Sequence, residues 1–150
     1  MKDLLNKNLI KLNLNSSTRD EAIIELAKLI ESEGRLLNYD EYVEEVFNRE
    51  EQSTTGIGLG IAIPHGKSPA VKIPTVAFGR YKKGIEWNSL DEEPVKIIFL
   101  LAVPSDGDSC NEHLRILAAI SRKLLHEDFN NALNSIENEE ELVDLINSVI

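Results

Sequence analysis

His65 is the residue in this sequence best placed to do chemistry. It stands between Pro64 and Gly66, after three glycines at alternate positions (Gly56, Gly58 and Gly60) and a short apolar run, Ile61-Ala62-Ile63. Proline fixes its own φ and drives Ile63 toward an extended conformation. Gly66 removes a side chain that would crowd the histidine and allows φ > 0. The expectation is an imidazole held at a strand end with backbone N–H groups around it. Such a setting suits an anion-binding or phosphate-accepting site, where a neutral imidazole is the nucleophile. It suits a buried core histidine less well.

Three other side chains have fitting chemistry, and two of them also have an ordinary reading. Arg49 offers a forked donor matched to phosphate. In the last turn of a helix it also reads as a surface arginine favoured by the helix dipole. His113, near the start of a later helix, could donate a hydrogen bond to an anion or simply be exposed and polar. Thr54 adds a hydroxyl at the head of the glycine segment. His126, following Leu125 at a helix end, reads as solvent-facing and only weakly coupled to the dipole.

Gly58-Leu-Gly-Ile-Ala-Ile-Pro-His65-Gly-Lys-Ser68 resembles the active-site segment of the fructose/mannitol-type enzyme IIA domains of the bacterial sugar phosphotransferase system. Asn111-Glu-His113-Leu-Arg-Ile-Leu-Ala-Ala-Ile-Ser-Arg122 resembles the second histidine segment of the same family. The resemblance runs from about Leu9 to the C-terminal helix. It implies that His65 is the phosphorylated residue and that His113 lies beside it in space. It also implies that Arg49, sixteen residues before His65, binds phosphate. Thr54 and the backbone amides of the glycine segment are further candidates for phosphate binding.

By this resemblance the chain is a phosphotransferase component. It takes a phosphoryl group from the phosphocarrier protein HPr and passes it to the IIB domain of a sugar permease, with no cofactor and without binding ATP or sugar itself. Pro64-His-Gly-Lys-Ser-Pro-Ala70 and Leu101-Ala-Val-Pro104 favour a fructose type. One alternative is a nitrogen-type member, which uses the same phosphohistidine to control partner proteins. Another is a plain binding module whose His65 is never phosphorylated. A third is a piece of a larger permease or regulator, against which Met1 and a plausible complete fold argue for a free-standing chain.

These residues must be positioned by a scaffold that the hydrophobic pattern outlines. Asn8–Asn15 alternates after Leu9 and reads as a half-buried strand. Ser17/Asp20 or Thr18/Glu21 gives a capping box for a helix whose inner face is Ala22, Ile23, Leu26, Ala27, Leu29 and Ile30, with Gly34 as its stop. A second helix, Tyr39–Glu51, carries the stripe Tyr42, Val43, Val46 and Phe47, with Arg49 in its last turn. Pro69 and Pro74 bracket a loop. Thr75–Tyr81 reads as a strand, Lys82-Lys-Gly84 as a turn, and Ile85–Trp87 as a short returning strand. Val95–Val103 is the most apolar strand and the expected centre of the sheet. A helix over about 111–125 is expected to turn Leu114, Leu117, Ala118, Ile120 and Leu124 inward. Two shorter helices, near Glu127–Ser135 and Glu139–Val149, finish the chain. The whole predicts one α/β domain over residues 1–150, a mixed β-sheet covered by helices.

Composition narrows the function further. A net charge of −10 argues against nonspecific nucleic-acid binding. The acidic run Glu137, Glu139, Glu140, Glu141 and Asp144 reads as a solvated helix face. The longest apolar run, Ile97–Val103, is too short to enter a membrane as a span. No secretory leader is visible, and the single cysteine, Cys110, fits a reducing compartment, so a cytoplasmic location is expected. Gly66-Lys67-Ser68 lacks the earlier glycine of a P-loop, because Ile61 stands there. The spacing of Gly56, Gly58 and Gly60 is not that of a dinucleotide fingerprint. Asp106–Cys110 lacks the later ligands of a calcium loop, and Cys110-x-x-His113 has no second pair for zinc.

Overall fold

The sheet is built outward from its most apolar strand. In a computed structural model that describes residues 4–105, 109–124 and 126–149, without the side chains of residues 109, 110, 112–114 and 117, six strands lie in chain order. They are β1 (Ile10–Lys11), β2 (Gly56–Gly58), β3 (Ile61–Ala62), β4 (His65–Ser68), β5 (Thr75–Ile85) and β6 (Val95–Pro104). They form one mixed sheet in the order β1-β5-β6-β3-β2, with β4 also paired to β6. Every residue of β6 from Ile97 to Val103 is buried, the pattern of a strand covered on both faces. Phe99 of β6 meets Phe78 of β5 edge-to-face, with ring centroids 5.4 Å apart.

The helices are α1 (Arg19–Ser32), α2 (Tyr39–Gln52), α3 (Ser109–Leu124), α4 (Glu127–Ser135) and α5 (Glu139–Asn147). The capping signal resolves to Thr18, whose hydroxyl accepts from Glu21 N at 3.3 Å. Asn38 caps α2 in the same way through Glu41 N, at 3.0 Å. Gly34 stops α1 by adopting φ +70°, which a Cβ would oppose. α1 packs on β5, α2 on β4, and α3 and α4 on β6. None of the described helices is long and apolar enough to cross a membrane.

Three expectations are corrected. The first strand is short: Asn6 caps a 3-10 turn at Lys7–Leu9, and only Ile10–Lys11 pairs with β5. Beyond it no strand pairing continues: Leu12 O accepts from Arg80 Nε at 3.1 Å, Leu14 N donates to Arg80 O at 2.8 Å, and Asn15 N donates to the Glu25 carboxylate at 3.1 Å. Second, Lys82-Lys-Gly84 is not a hairpin turn. β5 runs on to Ile85, and Gly84 at φ +86° makes an irregularity in which five residue steps on β5 oppose two on β6. Third, Ala118 faces solvent. The buried stripe of α3 is Ile116, Ala119, Ile120 and Leu124, while the Leu114 and Leu117 side chains lie outside the described residues.

The acidic C-terminal run is exposed, as expected of a solvated face, but Glu137 also makes a structural contact. Arg80, fully buried in β5, donates from Nη1 to Leu133 O (3.1 Å) and Ile136 O (2.7 Å). Its Nη2 pairs with the Glu137 carboxylate. One guanidinium therefore ties the start of the chain and the α4–α5 connection to the sheet.

Candidate functional site

Proline makes the site by interrupting a strand without ending it. β3 and β4 lie on one register along β6, with Ile61 opposite Ile97 and His65 opposite Leu101. Pro64 between them has no N–H to give, yet its carbonyl accepts from Leu101 N at 3.0 Å. The strand therefore holds its line through the break and delivers His65 half-buried at the start of β4. His65 Nδ1 lies 3.0 Å from Ile63 O. A carbonyl only accepts, so Nδ1 carries the proton and the ring lone pair falls on Nε2.

Gly66 is needed for space rather than for positive φ, which it does not adopt. A Cβ there would stand 2.8 Å from Val46 Cγ2 and 3.0 Å from Tyr42 Cε1. What it admits is α2 against β4, and what it relieves is helix packing rather than crowding of the imidazole. Tyr42 completes that contact: buried on α2, it donates its hydroxyl to Leu101 O at 2.8 Å, the residue opposite His65. Burial holds its phenol well above the usual tyrosine range.

The same packing brings the C-terminal turn of α2 to the histidine. Arg49 donates from Nη1 to Ser53 O at 2.8 Å and to Ser53 Oγ at 3.3 Å. Its charge bears on the imidazole. Burial is the main cause that lowers the His65 pKa, and the Arg49 charge lowers it further; the Ile63 hydrogen bond and the Glu50 carboxylate act in opposition. A neutral imidazole is the form a nucleophile needs. The rate of phosphoryl acceptance at His65 should therefore stay high through mildly acidic pH and fall with a midpoint below the ordinary histidine value of about 6.5. A rate–pH profile with its acid limb at or above that value would contradict this.

The two threonines before the glycines are bound into the scaffold. Thr54 Oγ1 donates to Trp87 O at 3.1 Å and accepts from Gly56 N at 3.0 Å. Thr55 donates to Glu50 through both its N–H, at 2.9 Å, and its hydroxyl, at 2.6 Å. Thr55 O accepts from Ile63 N at 3.0 Å, which fixes the strand entering the Pro64 break. Beyond Thr55, β2 and β3 form a hairpin whose turn is left-handed at Gly58, Leu59 and Gly60 (φ +101°, +61° and +78°). His113 falls within α3, but its side chain, and so its expected place beside His65, lies outside the described residues. His126 is exposed at the N-terminus of α4. Among the described residues no three His, Cys, Asp or Glu side chains gather as a metal-binding group.

Glu50 was not singled out from the sequence, although a signal for it exists. Tyr42, Val46 and Glu50 recur every fourth residue, which puts a carboxylate on the buried stripe of an otherwise acidic helix.

Residues 3–149 match the family model "Phosphoenolpyruvate-dependent sugar phosphotransferase system, EIIA 2". The chain is 39% identical over 142 residues to a fructose-specific EIIA component of the phosphotransferase system (PTS) from Haloferax volcanii. That match covers 95% of this chain and 91% of the relative. It is 39% identical over 145 residues to a PTS fructose-specific EIIABC component from Bacillus subtilis, covering 97% of this chain but only 22% of that longer protein. Among solved structures, the nitrogen regulatory protein IIA-Ntr from Neisseria meningitidis superposes with a TM-score of 0.88 at 30% identity. There the match covers 96% of this chain and 97% of the other.

Proposed function

Because the chain belongs to the EIIA 2 family of the phosphoenolpyruvate-dependent sugar phosphotransferase system, we propose that it is a phosphocarrier that takes a phosphoryl group from phospho-HPr on His65 and gives it to a sugar-specific IIB domain. The observation that carries this reading is the His65 Nδ1–H···O=C bond to Ile63, which directs the ring lone pair to Nε2. Nε2 attacks the phosphorus as the bond to the donor's nitrogen breaks, and the Nδ1 proton stays hydrogen-bonded to the Ile63 carbonyl. In the return step the acceptor's nucleophile attacks the phosphorus and the electron pair of the P–N bond goes back to Nε2. Little covalent chemistry is left for the protein, so positioning and charge carry the catalysis.

Arg49 supplies that charge at the transferring phosphoryl group. Its contacts to Ser53 are exposed, so the guanidinium can exchange them for phosphoryl oxygens at little cost. His113 is the second proposed donor, on the resemblance of its segment. Thr54 shapes the approach from its bonds to Trp87 and Gly56; a direct bond from its hydroxyl to a phosphoryl oxygen would require the Trp87 bond to be given up. Arg49→Ala should slow phosphoryl acceptance by roughly 10²-fold with little loss of stability. Arg49→Lys should restore only part of the rate, since the fork is lost. An Arg49→Ala protein that melts early, or one with unaltered kinetics, would make the arginine structural or irrelevant.

The fructose assignment follows the names of the Haloferax and Bacillus relatives, and the IIB acceptor follows the A, B and C joined in the Bacillus name. A cytoplasmic site of action goes with these partners. The second reading, a regulatory switch, is favoured by the likeness to the Neisseria nitrogen regulatory protein. The decisive test is incubation with phosphoenolpyruvate, enzyme I and HPr, read by intact mass, followed by discharge. Gain of one acid-labile phosphate that a fructose-type IIB domain then removes supports the transport reading. A phosphate that no sugar-specific IIB removes favours the switch. No phosphate on the folded protein with an active donor system overturns both.

A further inference from the structure

Glu50 is a buried carboxylate that phosphoryl acceptance does not use. It is 5% exposed at the end of α2, where an ionised group needs hydrogen bonds to survive. Both oxygens have one: Oε2 from Thr55 N at 2.9 Å and Oε1 from the Thr55 hydroxyl at 2.6 Å. The hydroxyl in turn accepts from Trp87 Nε1 at 3.2 Å, and Trp87 is itself buried. Trp87, Thr55 and Glu50 thus form a closed relay in which every donor has an acceptor. It ends on a carboxylate next in sequence to Arg49, and Thr55, which holds that carboxylate, also accepts from Ile63 N, two residues before His65.

Resting on the reading of His65 as the phosphorylated residue, we propose that Glu50 is a positioning residue whose fixed negative charge, held by Thr55 near His65, also keeps the phosphohistidine unstable enough to be passed on. Arg49 alone would make the site a phosphate trap. A phosphoryl group brings about two negative charges, and a guanidinium beside it in a half-buried site stabilises that state strongly. Glu50 offsets this. While the imidazole is free, Arg49 and Glu50 balance. Once the phosphoryl group is bound, like charges face one another across the site. Onward transfer removes the repulsion: the acceptor's nucleophile forms its bond to phosphorus, the Nε2–P bond breaks, and its electron pair returns to the ring. Among the described residues, Arg49 and Glu50 are the charged side chains that bear on the imidazole, with opposite sign.

Glu50→Gln tests this, since it keeps an acceptor for Thr55 N and removes the charge. Wild type and variant are each equilibrated with phospho-HPr, and the phosphorylated fraction is read by intact mass. The His65 imidazole is titrated separately by NMR in the unphosphorylated proteins. The expected result is a folded variant whose exchange equilibrium moves about tenfold toward the phosphorylated form, whose discharge is slower, and whose His65 titrates at lower pH than in wild type. A purely structural role would move neither quantity in these directions. Glu50→Asp, which keeps the charge but draws it back, should shift both in the same sense by less. A folded Glu50→Gln with unchanged equilibrium and unchanged titration overturns the proposal. So does a folded Glu50→Asp with both unchanged if Glu50→Gln does not fold. If neither variant folds, Glu50 serves the fold alone and the proposal is likewise overturned. Wild type that takes no phosphate would instead refute the reading of His65.

Discussion

His65→Ala should yield a folded protein that takes up no phosphate from phosphoenolpyruvate, enzyme I and HPr. The substitution removes the nucleophilic nitrogen, and no neighbouring side chain among the described residues replaces it. A guanidinium is a donor with no acceptor lone pair, and the Thr54 and Thr55 hydroxyls donate their hydrogen bonds to Trp87 O and Glu50. The cost to the fold should be small. His65 is half-buried, and losing its hydrogen bond to the Ile63 carbonyl costs about 1 kcal/mol. The strand is held independently of the imidazole, through Leu101 N to Pro64 O and Ile63 N to Thr55 O. Intact mass reads the chemistry and a thermal melt reads the fold. Stoichiometric labelling of a folded His65→Ala protein would sink the assignment.

Arg80→Ala should be among the most destabilising single changes on the described sheet. Its guanidinium, fully buried, satisfies the carbonyls of Leu12, Leu133 and Ile136. Truncation leaves three acceptors facing a cavity. Breaking a buried charged network by removing one partner costs about 3–5 kcal/mol, a large share of the roughly 5–15 kcal/mol by which a domain is stable. In a chain of this size the melting temperature should fall by on the order of 10 °C. Glu137→Gln is the control. That carboxylate is 59% exposed, water replaces it readily, and its removal should cost under about 1 kcal/mol. Calorimetry distinguishes the two. Equal losses in both variants would mean that the ion pair, and not the carbonyl bonds, is the source of the stability.

The candidate site was legible because its chemistry is local. Pro64, His65 and Gly66 are adjacent, and the C-terminal turn of α2 reaches them through a short connection. The helices were legible through their ends, since Thr18, Asn38 and Gly34 each act on residues close by in the chain. What escaped was decided at long range. Arg80 sits in a strand that looks merely apolar, and its partners lie more than fifty residues away in sequence. Lys82-Lys-Gly84 has the composition of a turn, yet pairing with the ten-residue β6 holds β5 straight past it and turns the glycine into an irregularity. Glu50 was hidden by company: among the many carboxylates of α2, only its position on the Tyr42–Val46 stripe separates it from the solvated ones. Which ring nitrogen of His65 carries the proton needed the Ile63 carbonyl in place.

The shared register of β3 and β4 also governs how this sequence can evolve. Strand side chains alternate between faces, so a shift of one residue exchanges inside for outside. One residue inserted between Ile61 and His65 would carry the imidazole into the place of Gly66, where even a methyl group would stand 2.8 Å from Val46. The chain could compensate only by moving α2, which carries Arg49 and Glu50. Descendants of this gene are therefore not free to gain or lose a codon along Ile61–Ser68, whatever side chains they exchange elsewhere on the sheet. The connection between β5 and β6 is pinned as well, since Leu90 N donates to Gly56 O at 3.0 Å and Trp87 Nε1 to the Thr55 hydroxyl at 3.2 Å.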